Sequence, residues 1–186
     1  MKPRECSNCG KLFQPLRAMQ SVCSPRCAAW LVKAKNAQGK RELRERKAAL
    51  KSVPQLIKLA QAAFNAYIRE RDRQAGHSCI SCGRPLNWGE DGIRAHQVDA
   101  GHYRSTGSAP HLRFEKANCH AQCVSCNRHG SGRAVDYRIG LIKRIGIAEV
   151  ERLEEDNSVR KWQRDELVAI RETYRVKLRE LRMESL

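Results

Sequence analysis

Cys79-Ile-Ser-Cys82 and Cys123-Val-Ser-Cys126-Asn127 bracket the stretch on which the fold of this chain turns. Two Cys-x-x-Cys pairs offer four thiolates, the ligand set of a closed tetrahedral zinc site. The 40 residues between the pairs exceed what a minimal knuckle needs. They carry Asp99-Ala-Gly-His102 and Asn118, polar residues that a structural zinc does not call for. The pattern predicts zinc as the scaffold and His102 as the working residue.

Working toward the N-terminus, Cys6-Ser-Asn-Cys9-Gly10 and Cys23-Ser-Pro-Arg-Cys27 repeat the theme. Gly10 suits the positive φ of a tight knuckle turn. Ser24-Pro25 reads as a helix start, which puts the second pair where the helix dipole favours thiolate. A zinc ribbon or treble clef is expected over residues 1–32, with Phe13 and Trp30 available to cover the metal. Four thiolates fill the coordination sphere, so this site is not catalytic.

Residues 33–74 read as two helices. The first is rich in Lys33, Lys35, Lys40, Arg41 and Arg44, and is either a solvated linker or a phosphate-tracking surface. Ser52-Val-Pro-Gln55 forms a capping box for the second. Leu56, Leu59, Ala60, Ala63, Tyr67 and Ile68 give it an apolar stripe to about Asp72, and Gln74-Ala-Gly-His77 ends it. After the central module, 75–133, helices are expected over Ala134–Ile145, Ile147–Leu153 and Val159–Arg182. Gly146 stops the first of these, and Glu154-Glu-Asp-Asn157 the second. Leu167, Ile170, Tyr174, Leu178 and Leu181 share one face of the last, as monomer core or as a dimer seam. The fold class is α+β and mostly helical, with residues 134–186 as the C-terminal helical region.

Thirty-six Lys and Arg face 20 Asp and Glu, a formal charge of +16, which favours a polyanionic partner. The excess lies in residues 1–133. The last 53 residues hold twelve basic and eleven acidic side chains, so the first two thirds should face nucleic acid. Nine cysteines is an odd number, and their paired spacing with no signal peptide points to reduced, metal-bound thiolates in a cytosol. Aromatic residues make up 5% of the chain, so metal must supplement a thin core. No apolar run is long enough for a membrane span.

Cutting a phosphodiester requires a base for the attacking water and a cation for the leaving oxygen. An imidazole serves as the base, and a few oxygen ligands hold Mg²⁺ or Mn²⁺. Gln97-Val98 begins a strand that delivers Asp99 and His102, Asn118 precedes the second cysteine pair, and Asn127 opens the next helix. This arrangement resembles the zinc-stapled HNH, or ββα-metal, nucleases, and the Cys-x-x-Cys-Asn ending resembles phage resolvases of the endonuclease VII type. The wider string is more specific. Asp99-Ala-Gly-His-Tyr103, Arg113-Phe-Glu115, Asn118, Gln122 to Arg128 and Gly132 resemble the NinG family of lambdoid phages, as does the N-terminal cysteine module.

The resemblance implies a zinc-stapled ββα-metal module with His102 as general base and Asp99 and Asn127 on a catalytic Mg²⁺ or Mn²⁺. Asn118 would orient the base or its loop. It also implies an endonuclease acting on branched DNA, such as Holliday junctions and D-loops, in the cytoplasm of an infected host, with a homodimer as one arrangement. One departure stands out: Gly101 occupies the place of the usual acidic residue before the base. The alternative is therefore a non-catalytic zinc-dependent DNA-binding or annealing protein. The residues also have plainer readings. His102 can be a satisfied core histidine, Asn127 a helix cap, and Cys119 a small apolar filler. His111, His120 and His129 read as surface or phosphate-contacting residues, with His129 an alternative to Asn127 as ligand. His77 and His96 have no assigned role. Arg104, Arg113, Lys116 and Arg128 are expected phosphate contacts.

Overall fold

A computed structural model describes residues 1–89 and 98–184. Gln97, where the central strand was expected to begin, and His96 lie outside the described residues. The chain forms two compact units, Met1–Lys51 and Ser52–Leu186. The boundary falls inside the 33–74 segment, so the basic helix continues the first cysteine module and the amphipathic helix belongs to the second unit.

In the first unit, β1 (Arg4–Glu5) and β2 (Leu12–Phe13) pair antiparallel around the Cys6–Cys9 knuckle. Gly10 takes φ 71°, as its turn requires. Helix α1 (Pro25–Ala49) starts where Ser24 Oγ accepts the Cys27 amide at 3.3 Å. Trp30 does not cover the cysteine cluster as expected; it is 59% exposed.

The second unit is built on α2 (Val53–Gln74), the hairpin β3 (Val98–His102) and β4 (Cys119–Cys123), and helices α3 (Ala134–Ile145), α4 (Ile147–Glu155) and α5 (Arg164–Glu184). The capping box on α2 is present: Gln55 Oε1 accepts the Ser52 amide at 2.9 Å. Pairing runs from Val98 with Cys123 to His102 with Cys119. One core joins Leu56, Ala60, Phe64 and Ile68 of α2 to Ala100, Cys119, Phe114, Leu167 and Tyr174. Helix α5 therefore uses Leu167 and Tyr174 as monomer core. A second core gathers Ile80, Leu112, Tyr137, Leu141, Val150 and Leu153. Gly140 lets α3 approach the Cys79 knuckle, since a Cβ there would lie 1.9 Å from the Ile80 carbonyl oxygen.

Three expected boundaries shift. Helix α4 keeps Glu154 and Glu155, because Arg138 pairs with Glu154 at 2.7 Å and Arg104 binds the Leu153 carbonyl at 2.8 Å. Helix α5 starts at Arg164 rather than Val159. The preceding segment is drawn aside by Trp162, whose indole N–H donates to the Pro110 carbonyl at 3.1 Å. Asn127 does not open an α-helix. It lies in a short π-type turn, Ser125–His129, closed by Gly130 N–H to Ser125 O at 2.8 Å. Among the described residues no helix is long and apolar enough to cross a membrane.

Candidate active site and metal centres

Both cysteine tetrads close. Cys6, Cys9, Cys23 and Cys27 bring their sulfurs within 4.8 Å of one another, as do Cys79, Cys82, Cys123 and Cys126. Neighbouring sulfurs lie 3.6–3.9 Å apart in the two sets. A zinc with bonds of about 2.3 Å at tetrahedral angles requires about 3.8 Å. Each tetrad can hold a zinc ion. Hydrogen bonding from the Cys9 amide is the main cause that lowers Cys6 to about 6. Burial opposes ionisation of Cys79, but the Cys82, Cys123 and Ser81 amides outweigh it and bring that thiol to about 7. Cys6 and Cys79 are thus moved toward the thiolate a metal needs, whereas the hydrogen bond with Cys6 pushes Cys23 up to about 12 and burial pushes Cys126 up to about 12.

His102, at the end of β3, lines an open cleft of about 750 Å³ together with Tyr103, Ser105, Asn127, Ser131 and Glu154. Its Nε2–H donates to the Arg113 carbonyl at 2.9 Å, which leaves the lone pair on Nδ1. The fully buried Cys119 has its sulfur 3.7 Å from that nitrogen, within reach of an S–H···N hydrogen bond, so both ring nitrogens have partners in the structure. Burial is the main cause lowering the His102 pKa below the ordinary imidazole value, with Arg113 adding its charge against the bond to its carbonyl. The ring is therefore neutral near pH 7, the form a base requires.

Asn127 sits on the same cleft, and its amide nitrogen lies 2.9 Å from Asp99 Oδ2. Arg128 grips both Asp99 oxygens at 2.7 Å. Burial pushes the Asp99 carboxyl up, but Arg128, Asn127 and Arg69 outweigh it and hold it below the usual carboxylate range. Asp99 and Asn127 are thus brought together, although the carboxylate is engaged by a guanidinium rather than free.

Asn118 is fully buried and does not line the His102 cleft. Its Oδ1 accepts the Arg104 amide at 2.8 Å, and its Nδ2 donates to the Arg104 and Leu112 carbonyls at 3.0 and 3.1 Å. It staples the loop between β3 and β4, the orienting place expected of it. Gly101 also has a structural cause: a Cβ there would meet the buried Gln122 Oε1 at 2.2 Å. Any side chain at this position requires the buried Gln122 amide, which donates to Ser81 Oγ and the Gly132 carbonyl, to shift.

Two of the expected phosphate contacts have their guanidinium groups engaged within the fold. The Arg104 guanidinium is consumed by the end of α4, donating to the Leu153, Glu154 and Asp156 carbonyls. That of Arg113 donates to Gln61 Oε1 and the Thr106 carbonyl at 3.2 and 3.0 Å. Lys116 and Arg128 are exposed, as are Lys33, Lys35, Lys40, Arg41 and Arg44 of α1. His120 is buried rather than on the surface, and burial with Arg71 beside it depresses its pKa to about 3. His111 binds the Asp156 carbonyl at 2.9 Å through Nε2. His129 is exposed, and His77 lines a separate cleft beside the Cys79 knuckle.

Sequence reasoning missed Asp72. It is fully buried and accepts the Ala121 amide of β4 at 2.6 Å, with Arg71 at 2.7 Å and Arg144 at 3.7 Å around it. This cluster locks α2 to the hairpin that carries His102. Its signal was available: Asp72 follows Phe64 and Ile68 at four-residue steps, an acidic side chain on the apolar stripe.

No solved structure matches the chain. The family described as "Bacteriophage Lambda NinG protein" matches residues 1–184. The "Protein ninG" of Salmonella phage P22 is 43% identical over 96% of this chain and 94% of its own length. That of Escherichia phage lambda is 42% identical over 96% and 93%, and that of Escherichia phage 933W 40% over 96% and 94%. With one family covering both cysteine tetrads, the hairpin and the C-terminal helices, the chain belongs to the NinG family of lambdoid phages.

Proposed function

We propose that this chain is a metal-dependent endonuclease that cuts branched DNA intermediates of phage recombination, with the hairpin, Asn127 and the second tetrad forming a zinc-stapled HNH-like module. The observation that carries the reading is the convergence of a neutral His102 and Asn127 on one open cleft, with Asp99 2.9 Å from the Asn127 amide. Adjacent ligands on an octahedral Mg²⁺ with bonds of about 2.1 Å stand about 3.0 Å apart. The amide O and N of Asn127 exchange by a simple flip, so Asp99 and Asn127 fit a Mg²⁺ or Mn²⁺ ligand pair once Arg128 withdraws. The ion, when bound, stabilises charge on the leaving oxygen.

His102 takes the proton of the attacking water on Nδ1 once the Cys119 thiol gives up its contact with that nitrogen, while the Arg113 carbonyl fixes its tautomer. The fully buried Asn118 and the arginines at 104 and 113 hold the loop that delivers that carbonyl. Released from Asp99, the exposed Arg128 is free to meet a DNA phosphate, and Lys116 lies exposed ahead of β4. Lys33, Lys35, Lys40, Arg41 and Arg44 of α1 add a phosphate-binding surface.

A second reading, DNA binding or annealing without cleavage, is favoured by the two bonds from Arg128 that occupy Asp99. A synthetic four-way junction separates the two. Nicking near the branch with added Mg²⁺, and binding alone without it, supports the endonuclease. Binding with intact strands under both conditions supports the rival.

A further inference from the structure

Trp30 is a large aromatic side chain that the fold of its own unit leaves outside. On α1 it shares a helical face with Arg26, Lys33, Lys40, Arg41 and Arg44. At about 100° per residue these share one face, whereas Lys35 and Arg46 fall on the other side. Every residue named on this face is exposed, and Trp30 keeps 59% of its surface in solvent. Arg41 is joined to Glu45 at 2.9 Å, an exposed pair that a phosphate can displace at little cost.

We infer that this face of α1 binds single-stranded DNA, with Trp30 stacking on an unpaired base and the flanking lysines and arginines following the backbone. Charge complementarity selects a polyanion, and the indole selects its form. Bases in a duplex are covered by their neighbours and offer no free π-face, whereas every unpaired base does. Residues 26–44 span about 27 Å of helix, long enough for a strand of several nucleotides. The inference deepens the proposed function by naming unpaired strand near a branch as the element gripped by the first unit.

The test uses the full chain, with no magnesium added, against a fluorescent 16-mer of deoxythymidine and a 16-base-pair duplex at one salt concentration. Trp30→Ala should weaken binding to the single strand about tenfold or more and leave duplex binding within about twofold. Trp30→Phe should restore most of the loss. The intrinsic fluorescence quenched by the single strand should disappear in Trp30→Phe, although Trp88 and Trp162 remain. Equal losses on both DNAs, or none, overturn the inference, as does a dimer that Trp30→Ala converts to monomer. The combined variant Lys33→Glu, Lys40→Glu, Arg44→Glu distinguishes the failures. If it weakens both DNAs while Trp30→Ala does nothing, only the stacking falls. If it too changes nothing, the grip assigned to α1 under the proposed function falls with it.

Discussion

The two cysteine tetrads share a ligand set and differ in what surrounds them. In the first unit the paired strands are two residues each, and α1 is exposed along most of its length. In the second, five residue pairs join the strands, one face of the hairpin rests on Phe64 and Phe114, and Tyr137 bonds Gly101 O at 2.8 Å. The same four sulfurs therefore do different amounts of structural work. A zinc ion held by the first tetrad would stand in for a core, and one held by the second would add to one.

Removing zinc should show this contrast at its largest. With a chelator, amides of residues 4–13 should lose protection from hydrogen exchange first, while those of α2 and α5 stay protected. Simultaneous loss in both units would erase the distinction. Next comes the crowded hairpin. Gly101→Asp places a Cβ against Gln122 and should cost about 1–3 kcal/mol or more in chemical denaturation, without improving ion binding. Asn118→Ala should cost about 2–4 kcal/mol by leaving the Arg104 N–H and carbonyl unpaired, while the Leu112 carbonyl keeps the Glu115 amide. Normal stability in that variant would mean the loop is held by other contacts. Arg128→Ala is the mildest: Mn²⁺ titration should show tighter binding in the absence of DNA, because the competing guanidinium is gone. Unchanged affinity would separate Asp99 from the ion.

Much of this was legible in the chain. Cysteine spacing, Ser24, the Ser52 capping box and Gly146 act over a few residues, and each falls where its local chemistry puts it. What stayed hidden was long-range. Arg104 and Arg113 read as phosphate ligands because a sequence does not reveal that carbonyls from α4 and the loop will consume their donors. Val159 read as helical because nothing local announces that Trp162 will dock on Pro110. At the candidate site, the approach of Asp99 to Asn127 followed from the family resemblance, but its occupation by Arg128 did not. The reason Gly101 departs from the usual pattern lies 21 residues away in Gln122.

The central claim is that a neutral imidazole on a zinc-stapled hairpin activates water beside a second cation. Single-turnover cleavage of a four-way junction by the wild-type chain and His102→Ala, followed from pH 5 to 8, tests it most directly. Burial lowers the His102 pKa, so wild-type cleavage should fall as the pH drops through a value below 6.5. His102→Ala should bind the junction normally and cut about 10²–10⁴-fold more slowly, with that pH limb gone. Equal rates and an unchanged profile in the variant would contradict the account.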